Sequence, residues 1–550
     1  MTAAYSPTPL WGRRAVRDRL VAWCADRDPA AGVVRVVTGP AGVGKSRLAL
    51  AVAEALPAGW VSGRLLCVDG LVERIAACGE PALVIVDDAD RVSSLDVLIA
   101  QAARHPDLLR LLLLTRQAES LRSLPDTVLP QVTVAETLVP IGESADRQRW
   151  FAEATRCYAR ALRVPPPDLP ARPVGMEEDT LLLLHARALL AVLGRTGTPG
   201  WSLREIAGEL VVLEQRNWNT DLAGLPAGCD TDVLAEAVTI LLLSPAETVT
   251  QAAELLRRVP QFAHDSAHES RLTVARWAHR HYPPGPDHRL DLRPHLVGER
   301  LLLDTLIRVP ELLCDDAAVP VLTRAYDTFP EAVDLLTTLL NQQPQLLPAR
   351  LPMILATGVT GYRLDCALAT LLDPEYSDTR ANLAALTIPD TFPHLRCAIN
   401  HLAVIHYREL AEVEPDRHRP DLAAALNSLG VSLWELGRYR EALTVSEEVV
   451  AVRRELAEVE PDRHRPDLAA ALNNLGVSLE KMGEIQKSLQ MRRESVAVWK
   501  ACKDRDPELY GPPYRRAEAR LRQLLDQYGQ RDNAVLTGLT GEEKRTAAEE

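Results

Sequence analysis

Residues 33–56 read VVRVVTGPAGVGKSRLALAVAEAL, and this stretch decides the fold of the N-terminal part of the chain. The β-branched run at 33–38 predicts a buried strand, and the strong helix formers at 47–56 predict a helix. Between them, residues 39–46 fit the pattern G-x-x-x-x-G-K-[ST], in which glycines let backbone N–H groups point at a phosphate. The order of strand, glycine-rich loop and helix therefore predicts a nucleotide-binding P-loop.

The residue types in this loop are those that phosphate binding requires. Lys45 is the only lysine in the first 480 residues, although the chain has 62 lysines and arginines in all. A compact ammonium fits beside the β- and γ-phosphates, where a planar guanidinium is too large. The expected nucleotide contacts in the loop are Gly39, Gly42, Val43, Gly44, Lys45, Ser46 and Arg47.

Charged side chains stand where two further strands are predicted to end. Strands at 64–68, 82–86 and 111–115 alternate with helical segments, which predicts a parallel sheet that binds ligands at the carboxyl ends of its strands. Asp87, with Ser46, is the expected pair of Mg²⁺ ligands. We expect two catalytic residues: Asp88 to orient or deprotonate the attacking water, and Arg116 to contact a γ-phosphate.

Composition narrows the class of protein. The 550 residues carry a net charge of −13 and no block of basic residues, which argues against a nucleic-acid-binding surface. Nine scattered cysteines without a C-x-x-C pair are typical of a reducing compartment. Neither a signal peptide nor an apolar run of membrane-spanning length is present, so we expect a cytoplasmic protein outside the membrane.

From about residue 145 the strand signals stop and helices follow. Helices are predicted at 147–163, 177–193, 203–218, 233–242 and 246–258, the last of them capped by Ser244. From there to about 410 the chain is a succession of helical stretches broken by prolines.

An internal repeat closes the sequence. Residues 409–427 (ELAEVEPDRHRPDLAAALN) recur unchanged 46 residues later. Each copy predicts a helix pair, with first helices at 421–436 and 467–482, and a weaker third copy lies at 504–527. Helix pairs at a fixed period predict a solenoid. The polar tail from about 530 is predicted to be disordered.

These residues resemble the STAND class of P-loop NTPases, the signal-transduction ATPases that include NB-ARC, NACHT and MalT-like proteins. Trp11-Gly12-Arg13 is similar to the motif that opens the class and lies near adenine, which makes Gly12 and Arg13 expected nucleotide contacts. Pro173 resembles the class's proline that packs near the base, and 213–218 resembles a winged-helix segment. The repeats look like tetratricopeptide repeats, with Leu429 among the packing positions.

The resemblance completes the predicted architecture, a multidomain fold that combines α/β and all-α parts. A P-loop domain with a parallel α/β sheet is expected at 1–145 and helical and winged-helix-like domains at 146–300. A helical linker or repeat-like region is expected at 301–408, and an α-solenoid of tetratricopeptide repeats at 409–529. The tail covers 530–550.

The resemblance also implies a switch. ADP would hold a closed form, a protein or peptide ligand in the groove of the repeats would favour opening, and ATP with Mg²⁺ would then replace ADP. An ATP-dependent homo-oligomer and an effector protein acted on in trans would follow, with at most slow hydrolysis. Bacterial defence and control of a biosynthetic pathway are both plausible settings.

Two other readings stay open. In the first, the repeats form a protein-binding scaffold and the nucleotide only stabilises the fold. In the second, the chain is a mechanical AAA+-type ATPase, whose arginine finger would be Arg104 or Arg110.

Overall fold

The computed structural model describes residues 7–26, 32–66, 68, 70–92, 94–121, 124–125, 127–139, 144–168, 180–195, 201–313, 317–343, 346–372 and 380–546. The chain divides into two compact units, Met1–Val359 and Thr360–Glu550.

The first unit begins with a five-stranded sheet and continues as helices. Its strands are β1 (Val34–Thr38), β2 (Val61–Arg64), β3 (Ala82–Asp87), β4 (Leu109–Thr115) and β5 (Val132–Thr137). Its helices are α1 (Arg14–Ala25), α2 (Lys45–Glu54), α3 (Leu71–Cys78), α4 (Leu95–Arg104), α5 (Ser144–Leu162), α6 (Leu181–Val192), α7 (Leu203–Trp218), α8 (Thr231–Leu243), α9 (Val249–Leu255), α10 (His268–His281), α11 (His295–Arg308), α12 (Ala318–Tyr326), α13 (Ala332–Gln342) and α14 (Leu346–Ala356).

All pairings in the sheet are parallel, in the order β2-β3-β4-β1-β5. Strands β3 and β4 are buried along their whole length, because continuous apolar runs suit strands covered on both faces. Since β4 lies between β1 and β3, the P-loop, Asp87 and Arg116 meet at one edge of the sheet. We call this the carboxyl edge.

The two edge strands differ from the prediction. Strand β2 covers Val61–Arg64 instead of 64–68, and β5 was not predicted. All four residues of β2 are exposed, and β5 is only partly buried, so neither strand has the apolar alternation that a sequence pattern detects.

The predicted cap at Ser244 is wrong. Helix α9 begins at Val249 instead of near 246, and Thr248 caps it in a capping box with Gln251. The box satisfies two backbone N–H groups reciprocally, which a lone serine does not. The Ser244 hydroxyl accepts a hydrogen bond from Arg258 at 3.1 Å.

The second unit is helical throughout its described part. Its helices are α15 (Tyr362–Thr370), α16 (Arg380–Ala384), α17 (Pro393–Val413), α18 (Pro415–Glu435), α19 (Tyr439–Val459), α20 (Pro461–Lys481), α21 (Ile485–Arg505) and α22 (Pro507–Thr546). Nowhere in the described part of the chain does a helix combine the length and apolarity that a membrane crossing needs.

The first helix of each repeat starts six residues earlier than predicted. Helices α18 and α20 begin at Pro415 and Pro461, because proline suits the first position of a helix, where its missing N–H is not needed. The tail predicted to be disordered from 530 is helical as far as Thr546. After Pro513 the described part of α22 has no proline to stop it, and Leu, Ala, Glu and Arg favour its continuation.

Two equivalent glycines in the repeats should respond oppositely to alanine. Gly430→Ala should stabilise the fold by up to about 1 kcal/mol, because alanine favours helix and the new Cβ meets nothing closer than 3.7 Å. Gly476→Ala should destabilise it by about 1 kcal/mol or more through overpacking, because its Cβ would lie 2.8 Å from Cγ of Arg492. Urea unfolding of the two variants measures the difference. Equal changes in their free energies of unfolding would contradict the packing described here.

Candidate functional site

The P-loop adopts a backbone that only glycine accommodates at two positions. Gly39 and Gly42 have φ of 144° and 77°. A Cβ on Gly39 would lie 2.4 Å from the carbonyl oxygen of Leu138, and one on Gly42 would lie 2.7 Å from Oγ1 of Thr180. The loop is therefore closely packed from behind, and it leads from Gly44 directly into the N-terminus of α2, which favours anions.

Lys45 is folded back against the loop. Its Nζ donates hydrogen bonds to the carbonyl oxygens of Gly39 at 2.6 Å and Pro40 at 3.0 Å. Burial, and secondly the nearby guanidinium of Arg116, lower the pKa of Lys45 to about 8. A bound polyphosphate would supply the negative charge that this buried ammonium lacks.

The predicted metal ligands contact each other at the carboxyl edge. The Ser46 hydroxyl donates to Oδ2 of Asp87 at 3.0 Å. Mg²⁺ at a phosphate site uses one or two protein ligands together with phosphate oxygens, so this pair fits it. The same Asp87 oxygen accepts a hydrogen bond from Nη1 of Arg293, which precedes α11.

Asp88 and Arg116 are also engaged by residues far along the chain. His295 Nε2 lies 2.7 Å from Oδ2 of Asp88. Burial opposes ionisation of Asp88, but His295 and neighbouring arginines outweigh it and hold the pKa of Asp88 well below its usual range. Arg116 Nη2 donates to Oε1 of Glu299 at 2.6 Å, and its Nη1 lies 3.3 Å from Oδ2 of Asp327. Although burial lowers the pKa of Arg116, these two carboxylates raise it above the ordinary value.

The contacts belong to a larger set, five between opposite charges and one between Asp88 and His295, which we call the edge interlock. Each pair joins the carboxyl edge, or the segment just after a strand, to the segment 287–327. The pairs are Arg64–Asp291, Asp87–Arg293, Asp88–His295, Asp90–Arg324, Arg91–Asp287 and Arg116–Glu299. Breaking one buried pair by removing a partner typically costs about 3–5 kcal/mol, so the interlock holds the described residues of 287–327 against the carboxyl edge.

The sequence did not reveal three members of this site. Arg293, His295 and Glu299 lie about 250 residues from the P-loop, and no local motif marks them as part of it. The only available signal was the density of charge in a segment with buried leucines on both sides. Such charges need partners when they are buried.

A cavity of about 260 Å³ joins these groups. The predicted residues that line it are Arg13, Gly42, Gly44, Lys45, Ser46, Arg47, Asp87, Asp88 and Arg116. Gly39 shapes the loop behind the cavity, and the Val43 side chain is buried in the core under the sheet. Gly12 has φ of 62° in the turn before α1, whereas Pro173 falls outside the described residues. The roles of all these residues toward a nucleotide stay predictions.

Aromatic rings, among them Trp11 and His185, line one end of the cavity. Trp11 stacks on His185 with ring centroids 5.2 Å apart and on Trp150 with centroids 5.7 Å apart. Arg13 donates a hydrogen bond to the carbonyl oxygen of Val139, which ties this end to the segment after β5. The arrangement can accept a flat apolar group beside a phosphate-binding loop.

Of the two arginines considered as fingers, Arg110 is buried inside its own unit. Its Nη2 donates to the carbonyl oxygen of Asp26 at 2.6 Å, and only 5% of its surface is exposed. Arg110 therefore cannot reach a neighbouring molecule in this structure. Arg104 lies in the last turn of α4 and is exposed.

Comparison with known proteins confirms the repeats. The tetratricopeptide repeat family matches residues 422–465 and 468–501. The comparison with curated proteins found no match.

Three solved structures are similar to parts of the chain. The Signal Transduction ATPase with Numerous Domains (STAND) protein with a tetratricopeptide repeat sensor from Pyrococcus horikoshii is 12% identical. That match covers 93% of this chain and 86% of that chain, with a TM-score of 0.24. The Aeropyrum pernix Orc1 protein, solved in complex with DNA, is 14% identical over 55% of this chain and 95% of that chain, with a TM-score of 0.29. Cdc6p from Pyrobaculum aerophilum is 14% identical over 56% of this chain and 97% of that chain, with a TM-score of 0.25. Scores this low carry no argument about function.

The stability of the first unit should depend on pH through His185. Burial, and secondly Arg47, lower the pKa of His185 to about 4, whereas an unfolded histidine titrates near 6.5. Between these values the unfolded chain binds the extra proton, so stability should fall as pH drops from about 6.5 to 4, by up to about 3 kcal/mol. Urea unfolding of wild type and His185→Gln tests this: the variant should lose less stability on acidification. His264→Gln, at an exposed site, serves as control and should lose as much stability on acidification as wild type does.

Proposed function

We propose that this chain is an ATP/ADP-dependent switch of the STAND type, in which the nucleotide bound at the P-loop decides whether the edge interlock holds. The observation that carries the proposal is the contact between Arg293 and Asp87. The carboxylate expected to bind Mg²⁺ is engaged instead by a guanidinium from the helical segment of the same unit.

Competition for the same atoms supplies the mechanism. Mg²⁺ requires Asp87 and Ser46, and a γ-phosphate requires Arg116, yet Arg293 and Glu299 contact two of these three residues. A diphosphate has no γ-phosphate, so it competes less for Arg116. A ligand shifts a two-state equilibrium only by its difference in affinity for the two states. To reverse a 1:99 population, the nucleotide must bind the open form roughly 5.5 kcal/mol more tightly than the closed form.

The bound nucleotide would supply a hydrolysable phosphoanhydride, and the residues of the chain would position it. Lys45 and the N–H groups of the loop would hold the phosphates, and Asp88 would orient or deprotonate the attacking water. While His295 contacts Asp88, one oxygen of that carboxylate is engaged by a side chain instead of a water molecule. Turnover in this arrangement is therefore slow at most.

The tetratricopeptide repeats provide the sensor in this proposal. They would bind a protein or peptide ligand and favour the open form. That form would assemble as a homo-oligomer and act on an effector protein in trans. A cytoplasmic role in bacterial defence or pathway regulation suits such a switch.

A second candidate is a protein-binding scaffold with a structural nucleotide. It is favoured by the family match, which covers the repeats and not the P-loop region. The two candidates differ in whether changes at the nucleotide site alter what the repeats bind.

Nucleotide released from freshly purified, denatured protein is the first measurement. Wild type should release close to one ADP per chain, and Lys45→Ala should release little, because the ammonium faces the phosphates. Lys481→Ala, at an exposed lysine in the repeats, is the matched control and should match wild type. Nucleotide-free wild type, or equal release by Lys45→Ala, would contradict the proposal.

Removal of the competing guanidinium should favour ATP. Arg293→Met should tighten binding of a fluorescent ATP analogue by about tenfold or more in Mg²⁺, and by much less in EDTA, because Arg293 occupies the Mg²⁺ ligand. Arg308→Met, which removes the exposed ion pair of α11 with Asp232, should change neither value. An effect of equal size in Mg²⁺ and EDTA would show that Arg293 acts only on folding or packing.

A further inference from the structure

A second cavity, of about 530 Å³, lies within the second unit. It is open on one side and is lined by the end of α15 and the residues after it, by α17, by the C-terminal end of α18 and by the start of α19. Its apolar wall consists of Leu372, Leu402, Leu429, Leu433, Leu436 and Val445. Its polar groups are His394, His401, Arg438, Glu441 and Thr444. Small-molecule sites commonly enclose about 300–1,000 Å³ with an apolar lining and a few convergent polar groups.

The chain contains an internal comparison for this cavity. Helices α17, α19 and α21 are each 21 residues long and begin 46 residues apart, so each position at one junction has a counterpart at the next. Cys397 and Val445 line the cavity, and their counterparts are the larger Leu443 and Met491. Both larger side chains pack against the core of the repeats. Within the described residues, the first junction therefore has smaller side chains than the second at these two positions.

The polar groups also differ between the first junction, where α17 meets α19, and the second, where α19 meets α21. Arg438 donates to Glu441 from Nε at 2.8 Å and from Nη2 at 2.6 Å, and its remaining Nη1 faces Sγ of Cys397 at 3.9 Å. Sulfur is a weak acceptor, so Nη1 retains donor capacity toward the cavity. At the next junction the order of charges is reversed, with Glu484 in the place of Arg438 and Lys487 in the place of Glu441.

His401 adds a second donor at this rim. Within the described residues its ring makes no hydrogen bond, and it lies close enough to Glu441 to help lower the pKa of that carboxyl, after the larger effect of Arg438. With Glu441 already paired to Arg438, the charged donor left at the rim is Arg438 Nη1, and the His401 ring can donate a further hydrogen bond. An acceptor that carries negative charge fits them best.

We propose that this cavity binds a small amphiphilic anion, with an apolar body against the leucine wall and an acidic group that accepts a hydrogen bond from Arg438 Nη1. The ligand is a small molecule and not the protein or peptide expected in the groove of the repeats. Only its consequence, that such a molecule biases the switch, rests on the proposed function. Binding itself requires neither nucleotide nor an intact P-loop.

Two fluorescent probes that differ in one charged group test the inference. 8-Anilinonaphthalene-1-sulfonate is an apolar anion, and N-phenyl-1-naphthylamine has the same rings without the sulfonate. Full-length wild type should bind the anion at one saturable site. The double variant Cys397→Leu with Val445→Met introduces the side-chain types found at the next junction. It should weaken binding of both probes by about tenfold or more, because it fills the cavity. Leu443→Cys with Met491→Val is the matched control and should leave this site intact.

Arg438→Gln removes the charge and leaves the apolar wall of the cavity unchanged. Because Arg438 is exposed, we expect this variant to fold like wild type. It should weaken binding of the anion about tenfold, which corresponds to one charge-assisted hydrogen bond, and change the affinity for the neutral probe less than twofold. Unchanged binding of both probes to the filled variant would overturn the site. Equal effects of Arg438→Gln on both probes would overturn the anionic class. The same titrations on Lys45→Ala should match wild type, so failure of the switch and failure of this site are distinguishable.

Discussion

The burial of charge at one edge of a parallel sheet is the constraint on which the first unit depends. Asp87 is only 9% exposed, and an unpaired carboxylate there would cost several kcal/mol. The chain meets this constraint with a segment of opposite charge that comes about 200 residues later. The contacts that hold the helical part against the sheet are therefore the same contacts that neutralise the charges of the nucleotide site. In the proposed switch, a metal ion and phosphate would neutralise the edge instead.

The sequence predicts what depends on neighbours in the chain. The P-loop, the fully buried strands β3 and β4 and the period of the repeats are local patterns, and each was located to within a few residues. Strand β5 and the partners of Asp87 and Arg116 were missed, and β2 was placed three residues too late, because strand pairing at an edge and long-range ion pairs leave no local pattern. Arg293, His295 and Glu299 in the candidate site are of this second kind. The cap of α9 was missed for a different reason, since two capping residues compete within five positions and only geometry selects Thr248.

The two repeats are identical in some stretches and differ in others, and the two kinds of position have different roles. The unchanged sequence of 409–427 and 455–473 preserves helix length and the apolar faces that pack. Substitutions collect where the scaffold does not need identity, as at Cys397 and its counterpart Leu443. The early start of α18 and α20 has a simple cause, since a proline-containing stretch that looks like a linker is the first turn of each helix.

The position of β4 between β1 and β3 has a consequence for the order of synthesis. On the ribosome, β1 emerges first, but its hydrogen-bonded neighbours are β4 and β5, which begin at Leu109 and Val132. Strand β1 and the glycine loop after it must wait for roughly 75 further residues before either neighbour exists. Contacts of such sequence separation slow folding, because loop closure is paid before they form. The nascent chain therefore leaves the apolar strand β1 without a neighbour until β4 has emerged.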